Sequence, residues 1–139
     1  MALDAYAYSI DDTGFQIETA LGTVSEEHLD SKALPTMMSA RETMVHLYEV
    51  YQAFLTEASG GKHEWGAYEV PAEIQADIRN QWISHRRKAV EVALATEDEN
   101  VAKMAMAFIA VHDAYHVGQV CANRIALEPD FNPYMIYRH

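Results

Sequence analysis

The chain is poor in helix breakers: its 139 residues include only four prolines and six glycines. Ala, Glu, Met and Gln are plentiful, so the composition leans helical. It is poorer still in cysteine. Cys121 stands alone, which excludes an internal disulfide and fits a reducing compartment. Basic side chains are also scarce, 10 against 21 acidic ones, for a formal charge of -11. Such a surface repels phosphate backbones, so nucleic acid is not an expected partner. No uninterrupted apolar run reaches about 18 residues, so no membrane span is expected. The opening MALDAYAYSIDD lacks a basic n-region and a long apolar core, so no signal peptide is expected and the setting reads as cytoplasmic. Half of the residues are hydrophobic. That argues against disorder and for one domain over residues 1–139 with a single core.

Hydrophobic spacing predicts the elements. Leu3, Ala7, Ile10, Phe15, Ile17, Ala20, Leu21 and Val24 mark a first helix within residues 1–24, best defined over Thr13 to Thr23, with Gly14 as a weak interruption. Ser25-Glu-Glu-His28 reads as a helical turn opened by a Ser cap. Ser39-x-x-Glu42 is a capping-box pattern before a second helix, whose apolar face is Met44, Leu47, Tyr48, Val50, Tyr51, Phe54 and Leu55. Ser59-Gly60-Gly61 ends it. Pro71 suits the first position of a third helix carrying Ile74, Ile78, Trp82, Ile83, Val90, Ala93 and Leu94. Thr96-x-x-Glu99 resembles a second capping box, opening a fourth helix that runs to about Ala126. Its stripe is Val101, Ala105, Phe108, His112, His116 and Val120. Pro129 and Pro133 keep the tail from continuing as helix. With no repeat, low-complexity stretch or strand alternation, the expectation is an all-α fold, a four-helix bundle with its core over about residues 12–126 and a tail over 127–139.

Within that fourth helix lies AFIAVHDAYHVGQ, residues 107–119. His112 and His116 are four apart, so both imidazoles leave one face of the helix, one above the other. Neutral imidazole is the commonest protein ligand for borderline transition metals, and such a pair can offer two nitrogens to one ion. His46, on the flank of the second helix's apolar stripe, is the best third ligand. A pair of packed histidines satisfied by a hydroxyl or a carbonyl is the competing reading. The apolar surroundings of both rings weigh against it, because an unpaired imidazole there carries a desolvation penalty.

Sharper metal motifs do not fit. A di-iron bundle needs two Glu-x-x-His repeats, and none occurs, since Glu42 precedes His46 by four. A zincin needs His-Glu-x-x-His, whereas this chain has His-Asp-Ala-Tyr-His. Asp113 could act as a base, accept a hydrogen bond from a ligand, or be an ordinary surface carboxylate. Tyr48, Tyr51 and Tyr115 could line a pocket or pack with their hydroxyls at the rim. Gln119 could orient a substrate or hold a ligand ring, and Gly118 hints at close helix packing. Cys121 reads as a small core residue. His85-Arg86-Arg87-Lys88 reads as a solvated or salt-bridged face. His28, His63, His85 and His139 read as solvent-facing, with His28 a distant reserve ligand.

The string HDAYHVGQ, preceded by the helix RETMVHLYEVYQAFL, resembles the DinB-like (DinB/YfiT) family of bacterial four-helix proteins. The family pattern is one His on the second helix, then His-x-x-x-His followed closely by Gly-Gln on the last. His46, His112, His116, Gly118 and Gln119 match it. The opening TGFQIETALGTVSEEHLDSKALP is similar to that family's first helix and loop, so the resemblance spans about residues 12–126. Many relatives carry an acidic residue where Asp113 stands. Many also have a His and an Arg where this chain has Tyr115 and Val117, a departure that leaves the three ligands intact.

The resemblance implies a divalent ion, zinc or nickel most often, on His46, His112 and His116, with water completing the shell. It implies a metal-dependent enzyme acting on a small molecule, of the thiol S-transferase type with a low-molecular-weight thiol. Homodimers are frequent among the relatives. For such an enzyme the residues of this chain offer Asp113, Tyr115 and Gln119 as candidate auxiliary catalytic groups, Tyr115 standing where many relatives have His. A metal-dependent hydrolase is a variant of that reading. A non-catalytic metal-binding stress-response protein is the alternative from another class.

Overall fold

In the computed structural model residues 2–138 are described, with side chains from residue 5 onward. His139 and the side chain of Leu3 lie outside the described residues. All regular structure among them is helical, with no strand. Helix α1 covers Ala2–Gly22 and passes through Gly14 without a break. Ile10, Gly14, Ile17 and Leu21 recur at three- and four-residue spacing and form its buried face. A 3-10 turn follows at Glu26–His28. Ser25 precedes it but makes no side-chain cap, because its Oγ is engaged with His28 Nδ1 at 3.0 Å.

Helix α2, Ala40–Ala58, opens on the expected capping box. Glu42 N donates to Ser39 Oγ at 3.1 Å, and Ser39 N donates to Glu42 Oε1 at 3.2 Å. It closes where Gly60 takes a φ of +92°, a backbone state that suits glycine.

The third predicted helix is split. Pro71 stands before a single turn, α3 (Ala72–Gln75), and α4 (Ile78–Ala95) starts afresh after Asp77. The break has a local cause. Asp77 leaves helical geometry, and its carboxylate accepts from Asn80 Nδ2 at 2.9 Å, the kind of side-chain bond that competes with helix continuation.

The second capping box also differs from expectation. Asp98, one residue before Glu99, caps α5 (Glu99–Ala105) by accepting from Asn100 N at 2.8 Å, while Thr96 Oγ1 accepts from Asp98 N. The final helical run then passes through a π-helical stretch, Met106–Val111, before α6 (His112–Leu127). Each π turn holds more residues than an α turn, so the stripe slips around the axis. Ile109 and Asp113 become fully buried, and Phe108 is left half-buried.

Helix α2 packs against α4, and α1 packs against α6, around a core that includes Ile17, Leu47, Tyr51, Phe54 and Trp82. Past α6 the chain makes a 3-10 turn, Pro133–Ile136, that buries Ile136 against this core. Arg138 then pairs with Asp11 at 2.6 Å and Asp12 at 3.3 Å. Among the described residues no helix is long and apolar enough to cross a membrane.

Candidate metal centre

Helix α2 supplies His46, and α6 supplies His112 and His116 from its first turn and a half. The three rings meet at steep angles, 58° to 70° between planes, with centroids 4.5 to 5.0 Å apart. Their Nε2 atoms converge. His112 Nε2 lies 3.2 Å from His46 Nε2 and 3.2 Å from His116 Nε2, and the three ligand atoms fall within 4.8 Å of one another.

Two features say what such a cluster fits. First, a neutral imidazole nitrogen is either a donor or an acceptor. His112 Nε2 therefore cannot satisfy both neighbours by hydrogen bonding, and at least one close contact is left without a proton to share. Second, two nitrogens bound tetrahedrally at about 2.0–2.1 Å from zinc stand about 3.3 Å apart. The observed 3.2 Å matches that edge. The donor set thus could hold a divalent ion.

Electrostatics agree. Burial, and then the neighbouring rings, push the pKa of His112 and His116 down to about 4. Burial also lowers that of His46, opposed by the nearby carboxylate of Glu49. All three are neutral at physiological pH, the state in which imidazole coordinates. The remaining nitrogens of the α6 pair, His112 Nδ1 and His116 Nδ1, are buried without a hydrogen-bond partner. Gln119 lies one turn on and raises the His116 pKa, yet its buried Oε1 meets no full hydrogen-bond geometry. Its amide nitrogen instead donates to Tyr115 Oη at 2.9 Å. Tyr115 is exposed and sets its ring edge against His116. Gln119 and Tyr115 therefore flank the cluster from its solvent side.

Asp113 sits elsewhere. Although next to His112 in sequence, it points into the core with no exposed surface. It accepts from Tyr51 Oη at 2.7 Å and from Arg86 Nε at 2.7 Å. Arg86 in turn donates to the carbonyl of Ile10 at 3.0 Å. One buried junction so ties α1, α2, α4 and α6 together. Burial pushes the Asp113 pKa up to about 6, less than it otherwise would because Arg86 and Tyr51 favour the charged form. With both oxygens engaged, Asp113 cannot reach the histidines as a base. The reading of Asp113 as a surface carboxylate is overturned; of the solvated or salt-bridged face, Arg86 takes the salt bridge, but buried in the core and not on a face. Gly14 belongs to the same junction, since a Cβ there would come within 2.6 Å of Arg86 Nη1.

The other histidines also differ from expectation. His63 is buried, with Nε2 2.8 Å from Glu49 Oε2 and its ring between Trp65 and Tyr68. His85 is buried against Tyr48 in a stacked pair at 4.1 Å and bonds Gln52 Oε1 at 3.0 Å. His28 is half-buried beside Ser25 and stands apart from the cluster. Tyr48 and Tyr51 are both buried, Cys121 is buried as expected, and Gly118 faces open space rather than a neighbouring helix.

Sequence reasoning missed Arg86, Gly14 and His63. A signal existed for the first two. Arg86 follows Trp82 by four, and Gly14 stands between Ile10 and Ile17, each on the buried face of its helix. His63 lies in a polar loop with no period to reveal it.

No family model matches the chain, and neither does a curated protein or a solved structure.

Proposed function

We propose that this chain is a metal-dependent enzyme of the DinB/YfiT four-helix type, using His46, His112 and His116 to hold one divalent ion. The observation that carries this reading is the convergence of three neutral Nε2 atoms from two helices, those of His46 and His116 each 3.2 Å from that of His112 and all three within 4.8 Å. Zinc and nickel suit an all-imidazole set. When bound, the ion supplies Lewis acidity at neutral pH toward a thiol, which makes a thiol-dependent S-transferase the leading reaction class.

The chain's own residues do the rest. Helices α2 and α6 fix the three rings in their coordinating orientation, and the core behind them keeps water from one side. His46 lines an open cavity of about 350 Å³ together with Glu49, and in this proposal a small molecule approaches from that side. Tyr115 and Gln119, hydrogen-bonded to each other on the outer side of His116, are placed to orient a substrate group. Cytoplasmic residence and a homodimer belong to the same proposal.

The test is metal content by elemental mass spectrometry, on untagged protein purified without added metal. Near-stoichiometric zinc or nickel in the parent, lost in both His46→Ala and His112→Ala, is the expected result. A folded parent that neither carries nor takes up divalent metal overturns the proposal.

A further inference from the structure

The cavity beside His46 has a charged wall that the three-histidine site does not use. Glu49 follows His46 by three residues on α2, so both side chains share one face of the helix. Both line the same cavity. Glu49 is about a fifth exposed, and its Oε2 is 2.8 Å from Nε2 of the buried His63. Among the described residues the one polar contact of its carboxylate is this bond through Oε2, and Oε1 accepts none.

The other charges on this wall are already neutralised. Arg41 is paired with Asp30 at 2.8 Å, and Glu42 with Lys32 at 2.8 Å. Glu49 is held by an imidazole instead, and among the described residues no lysine or arginine pairs with it. His63 is in turn fixed between Trp65 and Tyr68, and Trp65 rests against Phe108, one turn before His112. The loop carrying His63 thus braces Glu49 from a point next to both ligand-bearing helices. Asp113 is locked in the core by Arg86 and Tyr51. Of these two carboxylates next to the ligand-bearing turns, Glu49 is the one that reaches the cavity.

We infer that Glu49, held in place by His63, is a specificity residue that selects small molecules bearing an ammonium group beside the atom that binds the metal. This rests on the three-histidine metal reading. The chemistry is that of a charge-assisted hydrogen bond. A carboxylate with a free oxygen, partly shielded from water and immobilised by its second oxygen, prefers an ammonium donor to a neutral or anionic group.

The test uses the full chain loaded with cobalt(II) and two small thiols as probes, chosen because soft sulfur binds such ions and gives an absorption band. Cysteamine carries an ammonium group, and 2-mercaptoethanol a neutral hydroxyl. Dissociation constants are read from the thiolate-to-cobalt band in the parent, in Glu49→Gln and in His63→Gln. Because intrinsic thiol strength cancels, the quantity compared is the ratio of the two affinities.

Glu49→Gln keeps the shape and still accepts from His63, and it is expected to lower the cysteamine preference about tenfold with full cobalt content. His63→Gln, which keeps the charge but loosens it, is expected to lower the preference by a smaller factor. An unchanged ratio in a fully loaded Glu49→Gln overturns the inference and makes the Glu49–His63 pair a loop tether, with the metal site intact. Failure of the parent to take up cobalt overturns the metal reading and the inference together.

Discussion

Arg86 and Asp113 form an ion pair with 6% and 0% of their side chains exposed. Removing one partner of such a pair leaves an uncompensated buried charge, an effect of about 3–5 kcal/mol. Arg86→Met is therefore expected to lower the unfolding free energy by about that much in urea titration. Gly14→Ala acts on the same residue from α1, where the new methyl would displace the guanidinium from its bonds. A loss of about 1–3 kcal/mol is expected, measured the same way. Both variants bear on a residue that a basic run in the sequence disguises. His85-Arg86-Arg87-Lys88 looks like a wet face, and only the four-residue step from Trp82 places Arg86 inside. The cluster of His46, His112 and His116 was legible for the opposite reason, since a polar ring on an apolar stripe stands out. Asp113 and His63 were not legible, because burial of a charge or of a loop imidazole depends on partners from distant elements.

At the scale of elements, the capping box at Ser39 could be read from four letters, and so could the glycine stop of α2. The π-helical stretch could not. It arises where the final helix must serve two sets of neighbours, packing Ile109 on one side of the slip and aligning His112 with His46 on the other, and no local signal marks it. A π turn behaves as a one-residue insertion in an α-helix. Deleting exposed Ala107 from it is therefore expected to restore α geometry and to preserve metal uptake. Deleting Ala114, equally exposed but between His112 and His116, turns everything after it by about 100°, so His116 leaves its present place opposite His46 while staying on the face of His112, and uptake is expected to weaken. Elemental analysis of the two deletion variants, with helicity as a control for folding, makes the comparison.

For the whole molecule, the acid response follows from the buried histidines. His85, His112 and His116 have folded pKa values of about 4, below the ordinary 6.5. Between those values the unfolded chain binds more protons than the folded one, so stability rises with pH. The histidine contribution is complete above about pH 6.5 and is lost as pH falls toward 4. Asp113 runs the other way: its folded pKa of about 6 exceeds 3.8, so its protonation favours the folded state in acid. Three histidines outweigh one aspartate. The metal-free protein is expected to melt at steadily lower temperature from pH 7 to pH 4.5, followed by circular dichroism. His85→Phe should flatten part of that slope without touching the metal cluster.

The junction of Arg86 with Asp113, Tyr51 and the Ile10 carbonyl is satisfied only when α1, α2, α4 and α6 are all in place. A pair of helices detached from the rest would carry a stranded guanidinium or carboxylate, so fragments gain little from partial assembly. Amide hydrogens across the four helices should then exchange with solvent through one shared opening rather than helix by helix, with a common free energy for their slowest members. In that sense a single carboxylate, placed beside the metal ligands but turned away from them, makes the four helices one cooperative unit.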